Sequence, residues 1–135
     1  MGQRPNLPED FKSEARIAFA FLVETEGFAE PEEHDNRCFY GSELTYRRAD
    51  LEVSVGFIWA RPEHGVWTDL SLIGPDGTAG RSVSLYKAYV AAGCGPPQDV
   101  PGTVHNRRTM LMRVHQHAAA LRRLLPQLPA RFPDP

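Results

Sequence analysis

Residues 51–73, "LEVSVGFIWARPEHGVWTDLSLI", decide the fold class. Leu51, Val53, Val55, Phe57 and Trp59 fall on one side of an extended chain, and Glu52, Ser54 and Gly56 fall on the other. That period of two marks a half-buried strand. Val66, Thr68, Leu70 and Leu72 repeat it. The intervening "RPEHG" is too short for a crossover, so the two strands run antiparallel. Upstream, Arg37 to Arg47 places Tyr40, Leu44 and Tyr46 at even spacing and joins the next strand through the short "RAD". These segments make a meander. "GPDGTAG" after Ile73 is a turn.

Helical periodicity brackets the strands. From "NLPE" at Asn6 to about Thr25, Phe11, Ala15, Ala18, Phe19 and Leu22 form an apolar stripe. Ile17, Phe21 and Val23 widen it, which implies a largely buried helix stopped by Gly27. Val104, Leu111, Val114, Ala118, Leu121 and Leu125 form the stripe of a last helix. Ser82–Ala92 allows two readings. One is a short helix capped by Ser82, with Val83, Tyr86 and Val90 inward and Gly93 as its stop. The other is a fourth strand over Val83–Tyr86. The expected fold is α+β: an antiparallel three- to four-stranded meander packed against N- and C-terminal helices. A single domain is expected over residues 1–135, with 1–7 and 126–135 as extended or frayed tails.

Composition narrows the class. The 135 residues have ordinary apolar and charged fractions and a net charge of −2. "IAFAFLV" is too short to span a bilayer. The start lacks an apolar signal core, and Asn6 does not suit myristoylation of Gly2. Cys38 and Cys94 are isolated and imply reduced, structural thiols. A cytoplasmic protein with no membrane partner is expected.

The histidines give no ligand set. His115 and His117 are two residues apart and point about 200° from each other on a helix. Polar-face or boundary positions are expected for them. His34 and Cys38 lack a second pair, so no metal and no cofactor is expected. No nucleophile elbow, zinc-protease helix, phosphate loop or dinucleotide fingerprint is present. Glu43, Asp69, Tyr40 and Tyr46 are the polar residues that adjacent strands could bring together for acid–base work. Cys38, beside Phe39 and Tyr40, reads as a small buried hydrophobe. "PQLPAR" fits a polyproline ligand at Pro126, Pro129 and Arg131, a pattern common by chance.

Charge is unevenly spread. Residues 1–36 carry nine acids and three bases, whereas residues 103–131 carry six arginines and no acid. Arg107, Arg108 and Arg113 are the nucleic-acid candidates, joined further along the helix by Arg122 and Arg123. Arg122 and Arg123 suit a helix C-terminus, but Arg107 and Arg108 oppose the dipole at the N-terminus and call for an acid from the N-terminal segment. Without aromatic stacking residues, a solvated, partly paired face is the better reading. "ETEGFAEPEEHD" places Glu24, Glu26, Glu30, Glu32, Glu33 and Asp35 around Phe28 with no Lys or Arg. It is expected to be a polar loop, either a solubilising run or a docking surface for a basic protein, with Phe28 as anchor or as buried staple.

The helix ending in "FLVETEGF" and the strands "FYGSELTYRRADLEVSV" and "GVWTDLSLIG" resemble a broad group of small bacterial proteins. Some of these are grouped with immunity proteins of polymorphic toxin systems. The likeness rests on Phe21, Leu22, Gly27 and Phe28 and runs through the strands to about Gly74. It implies a helix-then-meander fold and carries no catalytic residue. Together with the acidic stretch, it implies a non-enzymatic inhibitor that occludes a basic protein partner, such as a toxin. The alternatives are a small enzyme or small-molecule-binding domain with a pocket that no motif reveals, and nucleic-acid binding through the arginine-rich helix.

Overall fold

Five strands follow one another across one antiparallel sheet: β1 (Glu32–Asn36), β2 (Gly41–Arg47), β3 (Leu51–Ala60), β4 (Glu63–Leu72) and β5 (Val83–Ser84). The computed structural model describes residues 7–36, 41–60, 63–128 and 130–133. The order β1-β2-β3-β4-β5 is a plain meander, with each strand hydrogen-bonded to its neighbour in sequence. The α+β class and the antiparallel sheet are as expected, but the described residues form five strands rather than three or four.

The alternation in β3 sets which face is covered. Leu51, Val53, Val55 and Phe57 are buried, and across the register Tyr46, Leu44, Leu70 and Val66 join them. Each such side chain contributes roughly 1.5–3 kcal/mol on burial. α1 (Leu7–Ala18) and α4 (Arg107–Leu124) lie on this face and against each other. The opposite face carries Glu43, Thr45, Glu52, Ser54, Trp67 and Asp69, and no described element packs across it. There the Trp67 indole lies flat over Gly56, where an added Cβ would sit 2.1 Å from the ring.

The added strands explain the corrected count. β1 falls in the polar stretch expected to be loop, because pairing with β2 rather than apolar content makes it extended. Val83–Ser84 pairs with Leu70 and Asp69 for two residues, and α3 (Leu85–Ala91) then begins. Strand and helix therefore divide the segment between them. Leu85, Ala88 and Tyr89 face inward, whereas Tyr86 and Val90, expected to be buried, are exposed. Ser84, not Ser82, holds the N-cap position, and Gly93 follows the helix at φ 77°.

The N-terminal helix is not continuous. It breaks at Phe19, and α2 (Ala20–Glu24) follows. Phe11, Ala15, Phe19 and Leu22 keep the inward stripe, while Ile17, two residues from both Ala15 and Phe19, points to solvent and is 66% exposed. α2 is capped at Thr25, Gly27 then turns the chain at φ 80°, and the Phe28 N–H closes onto the Leu22 carbonyl, six residues back, at 3.0 Å.

α4 starts at Arg107 rather than at Val104. The Asn106 side chain accepts from the Thr109 N–H at 2.8 Å, and Val104 is buried in the preceding loop. After α4, a 3-10 turn runs over Leu125–Gln127. Leu128 is buried and Phe132 packs partly on the core, so this end is not simply extended. Cys38, Phe39, Tyr40, Arg37 and Pro129 lie outside the described residues. No described helix is long and apolar enough to cross a membrane.

Candidate functional site

The acidic stretch is an edge, not a loop. β1 has β2 on one side and no described strand on the other. Its period of two divides the acids. Glu33 and Asp35, opposite Leu44 and Ser42, turn to the helix-covered side. The Lys12 ammonium on α1 meets Asp35 at 3.0 Å, Glu9 at 3.1 Å and Glu33 at 3.7 Å, and the Ser42 hydroxyl donates to Asp35 at 2.9 Å. Burial alone would lower the Lys12 pKa, but the bonds to Asp35 and Glu9 outweigh it and raise it. The Arg16 guanidinium binds Glu33 and holds that carboxyl below its usual range.

Glu32 and the preceding Glu30 behave differently. Glu32 is exposed and meets only His34, at 3.8 Å, among the described residues. Glu24 and Glu30 are exposed and form no ion pair with a described Lys or Arg. Glu26 accepts from the Thr25 hydroxyl at 3.3 Å. Phe28 is 3% exposed beneath the Arg48 guanidinium, 4.7 Å from its ring centre, so it is a staple and not an available anchor. Charge on an edge strand also discourages pairing with another chain's edge.

Between α2 and the start of β1 lies a cleft of about 220 Å³, lined by Arg16, Ala20, Val23, Glu24, Glu30, Pro31 and Tyr46. Tyr46 comes to it from β2 and is 1% exposed. Its hydroxyl is buried with no hydrogen-bond partner among the described residues. A buried polar group left unpaired costs about 1–3 kcal/mol. Burial pushes the phenol up to about 12, with the Arg16 charge opposing and the Glu30 charge adding to the shift.

A second cleft, of about 330 Å³, opens between β4, the start of α3 and the loop before α4. Val66, Trp67, Leu85, Tyr86, Pro97 and Val100 give it apolar walls, and Thr68 and His117 are its buried polar groups. His117 Nε2 lies 2.8 Å from the Pro101 carbonyl, which can only accept, so the proton sits on Nε2. Nδ1 then accepts from the Thr68 hydroxyl at 2.8 Å. Burial lowers the His117 pKa to about 4, against the Pro101 bond that raises it. The imidazole is neutral and fully bonded, and it acts as a structural clamp.

His117 corrects the expectation of a polar-face or boundary position. Val114, His117, Ala118 and Leu121 share one face by their spacing of three, four and seven, and that signal was legible in the sequence. His115 does point away and meets Glu14 of α1. No described cluster of His, Cys, Asp or Glu could hold a metal. Glu43 and Asp69 share the open face, but Tyr46 lies on the covered one, so these three do not converge. Burial raises the Asp69 pKa, and no second titratable group pairs with it among the described residues.

The arginines of α4 are dispersed. Arg107 meets Asp10 at 2.8 Å, the N-terminal acid that its position called for. Arg113 donates to the Thr103 carbonyl and to Gln116, both at 2.9 Å. Arg122 lies over Phe21, and Arg123 donates to the Tyr89 hydroxyl at 3.1 Å. Arg108 is exposed without a partner among the described residues. No family model, curated protein or solved structure matches this chain.

Proposed function

We propose that this chain is a non-enzymatic binding protein that occludes a basic protein partner, in the manner of an immunity-type inhibitor. Its partner-facing surface is the outer edge of β1. The observation that carries the reading is the division of the acids. Glu33 and Asp35 are tied to Lys12 and Arg16, while Glu24, Glu30 and Glu32 are exposed and form no ion pair with a described Lys or Arg. Exposed like charges raise the local potential and speed encounter with an opposite surface. Glu43 and Asp69 extend the negative field onto the open face, where Trp67 and Ile58 are half-buried. The inhibitor acts by covering its partner and needs no chemistry of its own.

The test is a pulldown with the tagged chain at low and high salt, beside the variant Glu24→Lys, Glu30→Lys, Glu32→Lys. One stoichiometric basic protein, held by the wild type and lost from the variant, is expected. Equal capture by both chains removes the edge from the account. Nucleic acid released by salt, and lost on Arg107→Glu with Arg108→Glu, moves the site to α4.

A further inference from the structure

The cleft beside β1 has its own chemistry. Its walls are the apolar Ala20, Val23 and Pro31, and two exposed carboxylates, Glu24 and Glu30, stand at its margin. Its third acceptor is the Tyr46 oxygen, buried and unpartnered among the described residues. Arg16 is the one cation in the lining among the described residues, and Glu33 already binds it. With that pair neutralised, the lining is negative and favours a cation over an anion.

We propose that this cleft is a recognition pocket for a guanidinium group, supplied by an arginine side chain of the basic partner. The inference rests on the edge reading above and names the anchor within it. A guanidinium presents several donors in one plane and is weakly hydrated, so it suits three acceptors set among apolar walls. An ammonium is more strongly hydrated and gains less there. The Tyr46 phenol stays protonated at neutral pH, and its oxygen can accept from the guanidinium. A partner side chain would thereby satisfy a buried hydroxyl left unbonded among the described residues.

The probe is N-acetyl-arginine amide, titrated into the full chain with isotope-labelled tyrosine rings and followed by NMR. A saturable shift of the Tyr46 ring signal is expected, absent with N-acetyl-glutamine amide and with inorganic phosphate. Glu24→Gln with Glu30→Gln is expected to weaken it about tenfold or more, since charge-assisted bonds are lost. Both residues are exposed, so this variant keeps its fold even if Tyr46→Phe does not. No saturable shift, a shift indifferent to the double variant, or a response to phosphate instead would overturn the assignment. Failure of the probe while a basic protein is still held at the edge removes the pocket and leaves the edge reading. Saturable probe binding without any captured partner keeps the pocket and removes the edge reading.

Discussion

Polar groups on the two sides of the sheet live under different rules. On the helix-covered side, His117 is bonded through both ring nitrogens, and Lys12 gathers Asp35, Glu9 and Glu33. Glu24 at the end of α2, Glu30 just before β1 and Glu32 on β1 are instead exposed to solvent. Low polarity around a buried group makes an unmade bond costly, so the covered side must pair its polar atoms. Solvent removes that requirement at the edge, and its charges remain available to a partner. Two covered-side groups lack a described bond, the Tyr46 hydroxyl and His64 Nδ1, and Tyr46 lies where the two regions meet.

The comparison breaks most readily at His117. His117→Ala leaves the Thr68 hydroxyl and the Pro101 carbonyl unpaired around a cavity, with an expected loss of about 3–5 kcal/mol in denaturant unfolding. His115→Ala, on the opposite side of the same helix, should stay within about 0.5 kcal/mol. Equal effects would erase the distinction between the two sides.

Acid probes the same clamp without mutation. The folded-state pKa of His117, about 4, lies below the ordinary 6.5, so the unfolded chain binds the extra proton in that window. Stability is therefore expected to fall as pH drops from about 6.5 to 4, by about 3 kcal/mol from this group alone. His117→Gln should flatten that part of the pH–stability curve, and an unchanged slope would contradict the assignment.

Lys12→Met is a milder test. It leaves carboxylates facing one another, but these are half-exposed and water relieves them, so about 1–3 kcal/mol is expected in urea unfolding. A neutral result would mean that Glu33 and Asp35 are no more tied than Glu30 and Glu32.

Much of the fold was legible because it rests on period. The alternation through Leu51–Trp59 identified the central strand and the face that the helices cover. Glycine chemistry marked the stops at Gly27 and Gly93. What was not legible depended on partners distant in sequence. Glu32–Asn36 has no apolar alternation, and its strand exists only because β2 offers hydrogen bonds. The division of the acids followed from that unseen strand, since only its pleat sends Glu33 and Asp35 inward. His117 could have been found, because its spacing from Val114 and Leu121 is that of the core stripe. The solitary Tyr46 hydroxyl could not, because no local pattern tells whether a buried phenol will find a bond.

On the proposed reading, the outer acids serve a partner and not the fold. The most direct measurement is association of the captured basic partner with wild type and with Glu24→Gln, Glu30→Gln, Glu32→Gln across a salt series, alongside unfolding of both chains. Slower association with a shallower salt dependence is expected for the variant, with stability within about 0.5 kcal/mol of wild type. Unchanged association, or a variant that loses stability instead, would contradict the account.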